Sequence, residues 1–358
     1  MRSLCVLVLV LSVLLTACGD SKSDDESAAL PPAITTETVE QIALRQILDA
    51  EDMLYFDPVL SPDGRAALFT LMSYTDFIPI ITVFDTFTGE QLLVIPTEKL
   101  SAASPTSYAT NTAYSPDGTQ IMIGISPLDD AAGEIAIFDA TNGDEMQRFT
   151  VPHLSSGGAA YALDGEVIVA STFDDETVAA GLVVLDATNG DLLGELALAA
   201  PIVWLEAQNN VIAYNTYQGD TVLPFAREGS TITFGEAIYT HDTRSMGYYP
   251  FAPDGSLFTI LDGTARHVRL YAMADGALQS TISIPGEADS SILDAYTDGE
   301  FIVTSEGNMV RIFDRGGTLL TERENPSSLA LCRMDAGRIT LLCSSEGSVA
   351  FWGVSDVD

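Results

Sequence analysis

The 358-residue chain carries 51 acidic and 15 basic side chains, a formal net charge of −36, and 47% apolar residues. That balance supports a large folded core and argues against a nucleic-acid binder, which needs a basic stripe to neutralise phosphates. It also argues against charge-driven attachment to anionic lipid, leaving a solvating acidic surface, a cation site or a basic partner.

The N-terminus reads as a targeting segment, residues 1–17. Arg2 precedes twelve apolar or small residues, Leu4–Leu15, too short a run to span a bilayer comfortably. "LTAC", Leu15–Cys18, resembles the bacterial lipobox, where the chain is cut before a lipid-modified cysteine. The resemblance implies acyl chains on Cys18, and several together anchor stably where one does not. Gly19 follows, which by likeness to enterobacterial sorting favours the outer membrane. Residues 18–36 are acidic and Ser-rich with a Pro pair, the composition of a flexible tether.

From residue 37 onward short apolar runs alternate with turn clusters. Val39–Leu48, "VEQIALRQIL", has helix-friendly residues but reads as a strand, for a reason given below; helix is the alternative. "SPDG" then occurs at Ser61–Gly64 and again at Ser115–Gly118. Worn copies end at Gly165, Gly255, Gly299 and Gly337. The interval from Gly165 to Gly255 is double the rest, and its midpoint falls on Asn210, in "AQNNV". Asn best tolerates a left-handed backbone among non-Gly residues, so the count of turns is seven. Pro presets φ, Asp bonds its own backbone and Gly takes a positive φ, so each phrase predicts a hairpin. The runs that follow, such as "TQIMIGI" and "EVIVAS", are apolar on both faces, as strands between stacked sheets are. A second turn recurs in six of the seven units, in "VFDTFTGE", "IFDATNGD" and "VLDATNGD", more weakly in "LYAMADG" and "IFDRGGT", and in the fourth unit as "AREGS" (Ala226–Ser230). Each unit therefore holds four strands.

These repeats resemble the WD40-like β-propeller repeats of bacterial envelope proteins, of the TolB and YVTN type, over residues 37–358. The resemblance implies an all-β, seven-bladed β-propeller of four-stranded antiparallel blades with ~46 residues per blade, near the usual length. The Trp-Asp pair of the wider family stands here as Phe84-Asp85, Phe138-Asp139, Leu185-Asp186 and Phe313-Asp314, while Trp352 is followed by Gly353. Seven first turns but six second turns leave the last blade one strand short. Glu40–Asp49 can supply it and close the ring, which is why that stretch reads as a strand.

Chemistry is sparse. No H-E-x-x-H, G-x-S-x-G or P-loop is present, so no catalytic residue is expected. His153, His241 and His267 lie in or beside connections and read as surface residues. Asp129, Asp130 and Glu134, in an acidic second-to-third-strand loop, are the candidates for a Ca²⁺-like cation. "DATNG" is similar to quinoprotein turns, but the Trp that follows those turns is missing, so no cofactor is expected beyond a cation. Cys332 and Cys343 are expected as buried free thiols, because a hairpin turn at Met334–Gly337 would set them about 13 Å apart. The long connection 96–111 is a candidate contact loop. The leading function is a lipid-anchored envelope scaffold that binds a protein or peptide, as a monomer and without nucleic acid. The alternatives are an assembly factor for outer-membrane proteins and a propeller enzyme, a lactonase or metal-dependent hydrolase.

Overall fold

A phrase that reverses the chain ahead of an apolar run makes a hairpin, and the computed structural model folds one around each copy. The structure describes residues 31–49, 53–73, 79–100, 107–127, 132–242, 250–262, 266–286, 294–326, 331–345 and 348–354. In the first turn Ser61 N–H donates to Ala66 O and Gly64 N–H to Ser61 O. The Ser61 hydroxyl donates to Asp63 at 2.6 Å. Ser115–Gln120 repeats the pattern, with Gly118 N–H donating to Ser115 O.

The hairpins assemble seven antiparallel blades in a ring, a β-propeller. Blade one is Met53–Leu60, Ala66–Ser73, Pro79–Asp85 and Gln91–Ile95. Blade two is Ser107–Tyr114, Gln120–Pro127, Gly133–Asp139 and Glu145–Val151. Blade three is Leu154–Ala162, Val167–Asp174, Ala179–Asp186 and Leu192–Leu198. Blade four is Ile202–Gln208, Val211–Thr216, Gly219–Glu228 and Thr231–Phe234, with Tyr239–His241 on the same third strand. Blade five is Leu257–Asp262, His267–Ala272 and Leu278–Ser283, with Phe251 bridged to Phe258 at the innermost position. Blade six is Asp294–Thr297, Phe301–Glu306, Met309–Asp314 and Leu319–Glu324. Blade seven is Leu331–Met334, Leu341–Ser345 and Ser348–Val354, completed by Ile42–Asp49. The first strands of blades one to four neighbour one another in turn, as do those of blades six and seven.

The second strands explain the burial. Ile121, Met122 and Ile123 are all fully buried, as are Ala67, Leu68 and Phe69. Their two faces enter different clusters, so the core lies between blades. Leu68, Ile81 and Val83 of blade one pack with Ile121, Ile123 and Phe138 of blade two. Ala67 and Phe69 pack the other way, on Leu342, Val349 and Phe351 of blade seven. Each fully buried Leu, Ile or Phe contributes about 1.5–3 kcal/mol.

The ring closes as the strand count requires. Ile42–Asp49 runs antiparallel to Ser348–Val354, from Ile42 opposite Val354 to Asp49 opposite Ser348, with a bulge at Arg45. Val39–Gln41 ahead of it is a single 3-10 turn. The bulge aims Arg45 inward, where its guanidinium donates to Ile339 O at 2.9 Å and covers the Phe87 ring. A Cβ on Gly353 would stand 1.9 Å from that guanidinium. Arg45 thus occupies the space an Asp would need after Trp352, which accounts for Gly in that place. Ordered packing also begins before the expected tether boundary at residue 36. Ile34 is fully buried and its N–H donates to Arg338 O at 2.7 Å.

Two turns differ from expectation. In blade four the left-handed residue is Asn209 (φ 51), not Asn210. In blade seven it is Arg338 (φ 59), not Gly337. Asp335 N–H donates to Thr340 O and Arg338 N–H to Asp335 O, so Asp335 and Arg338 stand where Ser61 and Gly64 stand in blade one. Arg338 holds this conformation, which costs a side chain of order 1–3 kcal/mol, because its guanidinium is engaged. It pairs with Asp298 at 2.6 Å and with Glu300, both of blade six. Gly64, at φ 70, is pressed in turn by Asp335, whose carboxyl would lie 2.5 Å from an added Cβ. The turns of blades six, seven and one are linked in this way.

The shift of the turn, together with its six-residue span in place of the four expected, also overturns the free-thiol expectation. With the turn spanning Asp335–Thr340, Met334 pairs with Leu341 and Cys332 falls directly opposite Cys343. The two cysteines form a disulfide with Cα atoms 4.2 Å apart, buried in blade seven. Their sequence separation is 11, and closing a loop that short is worth about 2–3 kcal/mol in the chain-entropy account. A Cys332→Ala/Cys343→Ala variant should lose that amount in urea unfolding. An unchanged midpoint would mean that the bridge adds nothing to the fold.

Candidate binding site in the axial channel

A first strand turns its side chains alternately toward the two neighbouring blades, as Tyr161 and Ala162 do, while its free edge faces the axis, so the first strands of several blades border one space. A cavity of about 370 Å³ lies there, walled by blades one, two, three, four and seven. Thr112 and Tyr114, Ser156 and Tyr161, Trp204 and Glu206, and Arg333 are among its lining. A second cavity of about 230 Å³ lies toward the SPDG turns, lined by Ser61, Gln208, Pro253, Tyr296, Asp335 and the exposed Ala336. Glu206 and Arg333 line both cavities, so this pair stands where the two spaces meet.

The electrostatics follow from burial. Glu206 is only partly shielded from solvent, yet removal of bulk water by the surrounding strands pushes its carboxyl up to about 7. Arg333 pulls the other way and does not win. Burial raises the Tyr296 phenol well above its ordinary value, and Asp298, Asp335 and Glu206 add to the shift. Its hydroxyl donates to Met334 O at 3.0 Å. Tyr114 is raised by burial and then by Asp63, Tyr161 by burial and then by Asp117. Asp117 is itself lowered, first by the Ser115 hydroxyl. Asp335 is raised by burial despite its backbone donors. The repeated phrase therefore writes a set of carboxylates, Asp63, Asp117, Asp164, Asp254 and Asp298, onto the rim where the channel opens.

The residues singled out from sequence fall elsewhere. Cys18, Asp129 and Asp130 lie outside the described residues. Glu134 does not stand ready for a cation: Arg148 already holds it at 2.6 Å, while the same guanidinium binds Glu145 and Lys99 O. Among the described residues no group of three or more His, Cys, Asp or Glu is placed to hold a metal. The acidic loops on the second rim satisfy themselves locally, Asp174 through Thr177 and Asp262 through Arg269. His153 lies in the connection between blades two and three, His241 in blade four and His267 in blade five. The long connection starts with a helical turn, Thr97–Leu100, fixed by Lys99 on Gly143 O and by the buried Leu100; residues 101–106 lie outside the described set. Glu206 and Arg333 carried one usable signal, a lone charge inside the otherwise apolar "IVWLEAQ" and "LCRM".

No protein-family model matches the chain, and no curated protein matches it.

Proposed function

We propose that this protein is a lipid-anchored propeller of the cell envelope that captures a protein or peptide segment at the mouth of its axial channel. The supporting observation is the pair of joined cavities along the axis, open toward the SPDG rim, with an unfavourably buried carboxyl at their junction. A carboxyl that burial penalises is of no use to the fold, and such groups concentrate at functional sites. The anchor rests on Leu15–Cys18 and the acidic tether behind it.

Placing a photo-crosslinking residue at Ala336, on the rim cavity, tests the reading in the native envelope. It should yield a discrete protein adduct, whereas the same residue at Leu278, exposed on the outer strand of blade five, should not. Adducts at Leu278 alone would move the contact to the outer edge and refute channel capture. Cys18→Ser should release the protein from the membrane fraction, and its retention would refute the lipid anchor.

A further inference from the structure

We infer that the group captured in the channel is a cation, a lysine or arginine side chain or a comparable amine, held against Glu206. This rests on the channel reading above and adds the chemistry of the ligand. Three features of the wall can accept from a donor, two of them, the Glu206 carboxylate and the Asn111 amide oxygen, only as acceptors. Glu206 offers a carboxylate at the junction of the cavities. Thr112 lines the same space, is 4% exposed, and its Oγ1 is buried without a hydrogen-bond partner. Asn111, turned toward Gly158 on the other face of the strand, also lines the cavity, and its Oδ1 is buried without a partner; an amide oxygen can only accept. Trp204 adds an aromatic face of the kind that attracts cations.

The approach to the site has the same sign. The SPDG rim carries a carboxylate on most blades, and the whole chain is strongly negative, so its field concentrates cations at the mouth. Arg333 is the counter-argument, since it would attract an anion. An anion would have to pass that rim and then sit beside Glu206, with Asp335 lining the same space. Nor does Arg333 saturate Glu206, because burial outweighs its pull. A further positive charge is therefore still favourable there.

The charged and titratable groups around Glu206 are Arg333, Tyr296, Asp298 and Asp335, with Tyr114 and Tyr161 on the facing strands. Glu206 is the one whose value is set at about 7. Its ionised fraction changes roughly tenfold between pH 8 and pH 6, and cation affinity should fall by about that factor on acidification.

Titration of the full-length protein with cadaverine and agmatine, which mimic lysine and arginine side chains, tests this against glutarate, an anion of similar length. Trp204 is one of two tryptophans, and the other, Trp352, is buried in blade seven, so indole emission reports occupancy. Saturable amine binding is expected at pH 8, about tenfold weaker at pH 6 and at least tenfold weaker in Glu206→Gln. Thr112→Val should weaken it several-fold. Equal or tighter binding of glutarate, no amine binding, or undiminished affinity in Glu206→Gln would overturn the cation assignment. If adducts still form at Ala336 in that event, channel capture stands and only the ligand class is wrong; if neither is seen, both fall.

Discussion

A chain begun at residue 50 is expected to show no cooperative melting, whereas a chain begun at residue 31 should melt with the full-length protein. The first removes Ile42–Asp49 and with it the fourth strand of blade seven. It also removes Ile34, Val39, Ile42 and Leu48, four buried apolar side chains. At about 1.5–3 kcal/mol each, their loss is of the same order as the whole stability of a typical domain, about 5–15 kcal/mol. Arg45 goes too, leaving Ile339 O without its donor. Thermal unfolding followed by circular dichroism reads both truncated chains. A sharp transition in the shorter chain, within a few degrees of the intact ring, would disprove closure by this strand.

Glu206→Gln is expected to stabilise the protein at pH 8 by up to about 3 kcal/mol and to leave it unchanged near pH 4. The carboxyl rises from its ordinary 4.5 to about 7 on folding, so the fold binds its proton more tightly than the unfolded chain does. Stability is therefore greatest while the group is protonated and is lost as pH climbs from about 4.5 through about 7. Gln keeps the shape and never ionises, so the variant escapes that loss. Urea midpoints for both proteins at pH 4, 6 and 8 should diverge in that order. Parallel curves, or a less stable variant at pH 8, would mean that Arg333 and its surroundings favour the charged form after all.

The architecture was legible because the turn chemistry repeats. Ser61–Gly64 and Ser115–Gly118 each demand a reversal, and the apolar runs behind them demand cover on two sides. The same logic placed the missing strand before blade one. It failed by one residue where the turn residue is not glycine. Arg338 takes the left-handed position because Asp298 and Glu300 of the neighbouring blade hold it there, a contact no local pattern contains. That shift, with a turn of six residues where four were expected, is what separated two paired cysteines in the sequence reading. The channel was less legible still. Glu206 and Arg333 are 127 residues apart and become neighbours because blades four and seven face one axis. The acidic loop around Glu134 was visible as sequence, but the Arg148 that holds it comes from the next strand of the same blade.

Ring closure has a consequence for how the chain is made. Ile42–Asp49 leaves the ribosome about 300 residues ahead of Ser348–Val354, its hydrogen-bonded partner. At synthesis rates of roughly 5–20 residues per second, it waits on the order of 15–60 s as an unmated β-segment. Six sheets can form meanwhile, but blades one and six each present an apolar flank that only the seventh can cover. The nascent protein is thus an open horseshoe with sticky tips, the form in which it is most exposed to misassembly and most in need of a chaperone.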